Sequence, residues 1–145
     1  MSGTPLDVGV QAAVAGAPTP ARVRRLLSRA ARATRTRPRE VSVLFCGDAR
    51  MRALNRRYRR RDRPTDVLAF PSEGPPGALL GDIVISVPYA SRQARRRREP
   101  VGKELDRLLV HGYLHLLGYD HETDEGQMDA LEARLRRCFG LADRA

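Results

Sequence analysis

The sequence predicts an α/β fold of the α+β type. We expect a single compact domain over residues 1–145, with about four strands in a mixed sheet packed with about four to five helices. Three observations predict this class. A length of 145 residues suits one domain, and 41% hydrophobic residues supply its core. Strand and helix periodicities follow one another in mixed order, and a turn-rich loop over residues 72–78 predicts a hairpin.

The first third of the chain predicts a strand, a helix and a second strand. Residues 6–14 alternate loosely between apolar and polar side chains, as a strand does. Thr19 followed by Pro20 marks the start of a helix, because threonine caps free N–H groups and proline suits the first turn. The apolar residues of that helix recur at helical spacing: Val23, Leu26, Leu27 and Ala30. The alternation of residues 41–45 predicts the second strand.

A second helix and a third strand follow. Asp48 is predicted as the N-cap of this helix. Its inward-facing residues are predicted to be Met51, Leu54 and Tyr58. The segment 62–64 breaks the helix, and residues 67–70 form a third strand that Pro71 closes.

The rest of the chain predicts one more strand and three helices. Residues 79–87 are rich in β-branched side chains and form the fourth strand. The helical stretch after it is split by a proline, and its second piece spans about residues 101–117. Gly118 ends that piece, because glycine accepts the left-handed backbone found after helices. Asp124 and Gln127 make a weak capping box for the last helix.

The charge balance points to a polyanionic partner. The chain has 27 Lys and Arg against 17 Asp and Glu, a net charge of +10, and Lys103 is its only lysine. A surplus of this size attracts nucleic acid, although GC-rich coding or a merely solvated surface is the alternative. Cys46 and Cys138 are too few for a disulfide framework or a cysteine zinc site. With neither a signal-peptide pattern nor a long apolar run, we expect a soluble, cytoplasmic protein.

All three histidines lie within eleven residues, in the pattern His-x-x-x-His-x-x-Gly-x-x-His. His111 and His115 are four residues apart, so they share one face of a helix. Gly118 lets the chain turn and bring His121 beside them. Three imidazoles leave one position of a tetrahedral ion open, which is the arrangement of a catalytic site. Such ligands suit zinc, with nickel, copper or iron as alternatives.

The residue after the first histidine decides against one reaction. Zinc proteases carry their general base, a glutamate, at this position. Here it is Gly112, which cannot take a proton. Together with the arginine-rich surface, a metal that activates water or polarises a phosphoryl oxygen fits phosphodiester hydrolysis.

Three segments together carry a family resemblance. Residues 111–121 read HGYLHLLGYDH, residues 80–86 read LGDIVIS, and residues 64–71 read PTDVLAFP after a Tyr58-Arg59 pair. In this order they resemble the YbeY family of bacterial endoribonucleases and rRNA-maturation factors. Ala69 departs from the pattern, since the family often has serine there.

The resemblance implies both a fold and a function. It implies a compact α/β fold with one zinc ion per chain, held by His111, His115 and His121. It implies a single-strand-specific endoribonuclease, a hydrolase of RNA phosphodiester bonds, which acts in 16S rRNA 3′-end maturation and ribosome quality control. The implied partners are the single-stranded 16S precursor, the small ribosomal subunit and assembly factors such as the Era GTPase. Neither a membrane nor DNA is an expected partner.

Further site residues are predicted around this core. Arg59 matches the functional arginine of the family, and a guanidinium suits phosphate because its planar fork makes two charge-assisted hydrogen bonds. We therefore predict Arg59, His111 and His115 as catalytic residues. The RNA-binding residues are predicted to be Arg59, Arg95, Arg96, Arg97 and Arg98. Asp66 and Asp82 are predicted to be structural or to support the metal ligands, and Asp120 to orient a ligand imidazole.

Two other functions remain open from the sequence. The chain is alternatively an rRNA- or ribosome-binding assembly factor with a largely structural zinc, or a metallohydrolase acting on a small substrate. Within the endoribonuclease hypothesis, either a metal-activated water or the RNA 2′-OH is the nucleophile. The sequence identifies no general base.

Overall fold

The structure is a computed structural model that describes residues 6–36, 40–73, 79–119 and 124–141. Within those ranges the chain forms four strands and five helices. In chain order they are β1 Asp7–Ala12, α1 Pro20–Ala33, β2 Glu40–Cys46, α2 Asp48–Arg59, β3 Val67–Pro71, β4 Leu79–Ser86, α3 Val87–Arg97, α4 Val101–Leu116 and α5 Gln127–Cys138.

The four strands form one mixed sheet in the order β1-β2-β4-β3. β1, β2 and β4 run parallel, and β3 pairs antiparallel with β4, for example Ala69 with Ile83. The predicted fold class, the mixed four-stranded sheet and the hairpin pairing of β3 with β4 are confirmed. β3 lies at one edge of the sheet, next to the strand that follows it in sequence.

The two faces of the sheet carry cores of different size. Because side chains alternate along a strand, Ile83 and Ile85 point to one face and Val84 to the other. Ile83 and Ile85 belong to the large core, to which α1, α4 and α5 contribute. Val84 belongs to a small core with Met51 of α2. Helix α4, which carries His111 and His115, therefore lies on the heavily packed face.

The helix starts were predicted with mixed success. Thr19 caps α1 as predicted, because its Oγ1 accepts a hydrogen bond from Arg22 N at 3.2 Å. Gly47, and not Asp48, is the N-cap of α2. The carboxylate of Asp48 instead accepts from Ser86 Oγ at 2.8 Å, and so ties α2 to the end of β4.

The start of α5 also differs from the prediction. Gly126 is its N-cap, in a left-handed conformation that glycine accepts without strain. Asp124 lies two residues earlier, and its carboxylate accepts from the N–H groups of Gly126 at 2.8 Å and Met128 at 3.0 Å. The side chain predicted to cap the helix does so from outside it.

Tyr58 was predicted to point inward, and the prediction is wrong. Its side chain is 53% exposed, because Tyr58 lies in the last turn of α2. The ring contacts Phe70 of the edge strand β3, with the two ring centroids 5.1 Å apart.

Across the described ranges, none of the helices combines the length and apolar character needed to cross a membrane.

Candidate active site

Two histidines meet on one face of α4. His111 and His115 are one helical turn apart, and their ring centroids are 4.7 Å apart in an edge-to-face arrangement. The Nε2 atom of His115 lies 3.1 Å from the Nε2 atom of His111. Both nitrogens therefore face the same point in space.

This separation fits two ligands of one zinc ion. With Zn–N bonds of about 2.0–2.1 Å in tetrahedral geometry, two ligand nitrogens lie about 3.3–3.4 Å apart. A small outward movement of either ring reaches that distance. The predicted third ligand, His121, and the predicted orienting residue, Asp120, fall outside the described residues. Within the described part of the chain, no three His, Cys, Asp or Glu side chains converge as a metal site.

Glu132 of α5 forms a hydrogen bond with the imidazole of His111. The Nδ1 atom of His111 lies 2.8 Å from Glu132 Oε2, and Glu132 is only 8% exposed. A carboxylate at this nitrogen keeps the proton on Nδ1 and leaves the Nε2 lone pair for a metal ion. The sequence prediction named Asp120, which lies outside the described residues, as the residue that orients a ligand imidazole, and it did not name Glu132. The available signal was a carboxylate at helical spacing from the apolar Met128 and Leu135.

The electrostatics of Glu132 agree with this role. Burial raises the pKa of Glu132, but the hydrogen bond from His111 and the nearby positive charges outweigh it, so the pKa lies below its usual value. Arg136 contributes, because its Nη2 lies 3.3 Å from the same Oε2 atom. The carboxylate is therefore ionised when it accepts from the imidazole.

Gly112 allows α4 to approach the sheet. A Cβ atom at this position would lie 2.9 Å from Ile83 Cγ2 and 3.4 Å from Val67 Cγ2. The residue after His111 thus faces the packed side of β4, where a glutamate would not fit without displacing the helix. Close packing of α4 on β4 therefore explains why glycine follows His111, where zinc proteases have their catalytic glutamate.

A cavity of 680 Å³ lies beside His115. The side chains that decide its chemistry are those of Arg59, Arg61, Arg63, Thr65, His115 and Tyr119. Its wall also includes the consecutive residues 67–69, so the cavity follows the edge strand β3. Arg59 and His115, which were predicted as catalytic, line one space.

The local sequence explains why three arginines reach this cavity. Helix α2 ends because Arg60 takes a left-handed conformation with φ of 57°. Asn55, which is 3% exposed, then donates from Nδ2 to the carbonyl oxygen of Arg63 at 2.9 Å and holds the following loop against the helix. Among the described residues, no carboxylate forms an ion pair with Arg59, Arg61 or Arg63. Their guanidinium groups are available to an anionic ligand.

Asp66 and Asp82 lie in different places. Asp66 Oδ1 accepts from its neighbour Val67 N at 2.7 Å, and Asp66 shares a 160 Å³ cavity with His111. Asp82 alternates with Ile83 along β4, so it faces away from α4. The sheet separates Asp82 from His111. Asp82 therefore does not support the metal ligands, which was one of its two predicted roles. The other predicted role, a structural one, remains.

The predicted RNA-binding run ends α3. Arg95, Arg96 and Arg97 form its last turn, Arg98 caps it in a left-handed conformation, and all four are exposed. Arg97 Nη1 also lies 3.1 Å from Glu104 Oε1. The run does not line the 680 Å³ cavity, but Arg97 lines the 160 Å³ cavity together with His111. Arg95, Arg96 and Arg98 line neither cavity and form a separate cationic surface.

A buried ion-pair network next to His111 was not predicted. Arg107 is 1% exposed and pairs with Glu104 at 3.1 Å and with Glu99. Arg107 Nε also donates to the carbonyl oxygen of Leu141 at 2.8 Å. These contacts join α4 to the turn before it and to the segment after α5. Arg107, Glu104 and His111 line the same 160 Å³ cavity.

Comparison with known proteins agrees with this geometry. A family model described as Endoribonuclease YbeY matches residues 13–140. The chain belongs to the YbeY family. This finding confirms the resemblance that the three sequence segments carry.

Individual relatives cover the chain to different extents. The Endoribonuclease YbeY of an Anaeromyxobacter species is 56% identical over 110 residues, which cover 73% of this chain and 57% of that protein. The Endoribonuclease YbeY of Alkalilimnicola ehrlichii is 44% identical over 149 residues, covering 95% of this chain and 90% of that protein. The match therefore spans little more than half of the Anaeromyxobacter relative.

A solved structure shares the fold. The solution structure of TM1509 from Thermotoga maritima is similar with a TM-score of 0.65 and 25% sequence identity, covering 92% of this chain and 89% of that one.

Proposed function

We propose that this chain is a single-strand-specific, zinc-dependent endoribonuclease that acts in the maturation of the 16S rRNA 3′ end and in ribosome quality control. The observation that carries the proposal is that Arg59 and His115 line one 680 Å³ cavity. A phosphate-binding fork and a metal-ligand side chain thus face the same space. Relatives named Endoribonuclease YbeY support this reaction class.

The histidines of α4 would form the metal side of the site. His111 and His115, together with His121, would hold one zinc ion. When the zinc ion is bound, it would act as a Lewis acid toward the phosphodiester. Glu132 would keep His111 in the tautomer whose Nε2 is free to bind.

The arginines would form the substrate side. Arg59 would take two phosphate oxygens with its planar fork. Arg61 and Arg63 line the same cavity and would attract the phosphates on either side. Asn55 holds the backbone of the loop that carries Arg61 and Arg63 against α2, so these two charges lie near Arg59 at the end of the helix. Guanidinium groups in this cavity would stabilise the charge that develops on phosphate during cleavage.

The proposed substrate and partners follow from charge and family. A net charge of +10 suits rRNA, and we propose the single-stranded 16S precursor as the substrate. The small ribosomal subunit and assembly factors such as the Era GTPase are the proposed partners. Activity on this substrate would take place in the cytoplasm.

The direct test is cleavage of rRNA precursor. Zinc-loaded protein should cut the single-stranded 3′ region, whereas chelator-treated protein and His115→Ala should not. Unfolding curves serve as the control that His115→Ala remains folded. If zinc-loaded, folded protein leaves the precursor intact, the chain is not this endoribonuclease.

Glu132 provides a test of the metal site that does not depend on activity. Purified protein should contain about one zinc per chain, and Glu132→Ala should lower zinc affinity about 10–100-fold, because the orienting partner of His111 is lost. Competition with a chromogenic chelator measures the affinity. Glu132→Gln should lose less, since its amide oxygen still accepts from Nδ1. The matched control is Asp129→Ala, an exposed carboxylate of the same helix. Equal affinities for all four proteins would contradict the role of Glu132.

The exposed run at the end of α3 favours a second candidate function, an rRNA-binding assembly factor with a largely structural zinc. Arg95, Arg96 and Arg98 line neither the 680 Å³ nor the 160 Å³ cavity and would suit phosphate contacts away from the proposed cleavage site. In that case RNA affinity would carry the function and cleavage would be absent.

Neutralising this run should flatten the salt dependence of RNA binding. Changing the four arginines to glutamine should reduce the slope of log affinity against log salt by about two to three, because each phosphate contact contributes about 0.7–1. We expect less than four full contacts, since Arg97 pairs with Glu104. Binding of single-stranded RNA across a salt series measures the slope. The control is Arg52→Gln, whose guanidinium pairs with Asp62 at 2.7 Å. An unchanged slope would mean that the run is only solvated.

A further inference from the structure

The face of the sheet that carries α2 holds a second cavity of 360 Å³. It lies on the opposite face from the histidines, and the chemistry proposed above does not use it. The side chains that characterise it are those of Tyr58, Phe70, Leu54, Asp82, Ser42 and Arg50. The cavity thus combines an aromatic wall, a carboxylate and a cation.

Tyr58 gives this cavity an aromatic platform that is open to solvent. It is the exposed large hydrophobic side chain of the described residues, with 53% of its surface accessible. Its ring is supported by Phe70 at a centroid distance of 5.1 Å and an interplanar angle of 59°. The Arg57 guanidinium carbon lies over the Tyr58 ring, 5.3 Å from its centroid, and places a positive charge there. Aromatic rings beside arginines are the platforms on which single-stranded nucleic acids stack their bases.

The other walls of the cavity match the edge of a base. Asp82 pairs with Phe70 across the two strands, so its carboxylate lies next to the aromatic wall. A carboxylate accepts hydrogen bonds from the amino groups of bases. Ser42 adds a hydroxyl that donates or accepts, and Arg50 adds a cation for the phosphate.

The second cavity adjoins the first. Tyr58 and Arg59 are consecutive in α2, so their side chains project about 100° apart around the helix. On the edge strand, Phe70 lines the second cavity while its neighbours Ala69 and Pro71 line the first. An RNA strand with one phosphate at Arg59 can therefore pass around the edge of the sheet. Its adjoining nucleotide then reaches Tyr58.

We propose that this 360 Å³ cavity is a nucleobase subsite, in which an unpaired base of a single-stranded RNA stacks on Tyr58 next to the phosphate held by Arg59. The inference rests on the proposed function for the identity of the strand. Charge complementarity favours this occupant over a protein, because Arg50 lines the cavity and Arg57 lies at the Tyr58 ring. Such a subsite would give a chain with cations on many surfaces a preference for unpaired RNA.

The test compares binding of two short oligomers of equal length and charge, one a single-stranded oligoribonucleotide and the other its abasic analogue. Tyr58→Ala should weaken binding of the base-carrying oligomer roughly tenfold or more, as for the loss of one stacked base. The abasic oligomer should bind both proteins equally. Tyr58→Phe should bind as the unmodified protein does, because the ring remains. Electrophoresis after each titration verifies that the oligomers are uncut.

The outcomes separate this inference from the proposed function. If Tyr58→Ala weakens both oligomers equally, or neither, the base subsite is wrong, whereas cleavage of rRNA precursor by the unmodified protein would still support the endoribonuclease. If Tyr58→Ala instead abolishes binding to purified small-subunit proteins and leaves the base-carrying oligomer unaffected, the surface serves a protein partner and the inference is overturned. If no precursor is cut but Tyr58→Ala still weakens binding of the base-carrying oligomer alone, the subsite is supported and the endoribonuclease activity is contradicted.

Discussion

Arg107→Ala is expected to lower the free energy of unfolding by about 3–5 kcal/mol, because it removes the charge that compensates buried carboxylates. The side chains of Arg107 and Glu104 are 1% and 2% exposed, and Arg107 Nη1 lies 3.1 Å from Glu104 Oε1. The same guanidinium pairs with Glu99. The substitution also leaves the carbonyl oxygen of Leu141 without its hydrogen bond from Arg107.

Urea unfolding at neutral pH measures this loss. Arg22→Ala is the matched control, because Arg22 pairs with Asp106 at 2.8 Å but its side chain is 49% exposed. An exposed pair of this kind contributes about 0–1 kcal/mol. Equal losses for the two variants would mean that burial does not set the strength of the Arg107 network.

The effect should depend on pH in one direction. The hydrogen bond and charge of Arg107 outweigh burial and hold the pKa of Glu99 below its usual value. A carboxyl whose pKa is lowered by folding stabilises the protein above its unfolded pKa, about 4.3, and that stabilisation is lost as pH falls through the folded value. The difference in stability between the unmodified protein and Arg107→Ala should therefore shrink on acidification.

The network also bears on the site. Arg107 holds the segment that follows α5, and α5 carries Glu132 to His111. We expect Arg107→Ala to loosen this helix and to lower zinc affinity in the protein that remains folded. Stability and metal binding would then be coupled, because one buried cation would serve both.

The sheet and most helices were predictable because their signals are local. Alternation along β2, the proline and threonine that start α1, and the loop between β3 and β4 each lie within a few residues. His111 and His115 were predictable for the same reason, since a spacing of four residues fixes their common face on a helix. Arg59 was distinguished from its neighbours only by the family resemblance.

The contacts that complete the site were not predictable, because they join distant parts of the chain. Glu132 lies 21 residues from His111, and Leu141 lies 34 residues from Arg107. Periodicity marks Glu132 as a carboxylate on an apolar face, but only the packing of α5 on α4 shows which imidazole it meets. For Asp82, one of the two predicted roles was wrong. Asp82 was predicted to be structural or to support the metal ligands, but strand alternation turns it to the face away from α4.

Arg59→Ala is expected to lower the cleavage rate by roughly a hundredfold, on the order of 3 kcal/mol, as for the loss of one oriented donor in a transition state. Arg59 shares its cavity with His115, so its fork lies where phosphate would meet the metal side of the site. RNA affinity should fall much less, because Arg61 and Arg63 line the same cavity and still attract phosphate. Arg59→Lys should recover only part of the rate, since an ammonium keeps the charge but not the fork.

Single-turnover cleavage and filter binding of the same RNA separate these two effects. Arg56→Ala is the matched control, because Arg56 is exposed on the same helix and does not line the cavity. It should lower affinity slightly and leave the single-turnover rate unchanged. Zinc content should be the same in all four proteins, because neither arginine is a ligand. A preferential loss of rate in Arg59→Ala means that the fork acts on the phosphate under attack. If the cleavage rate and the RNA affinity fall in the same proportion, Arg59 is only one more contact in a cationic surface. The cavity would then not be a catalytic site.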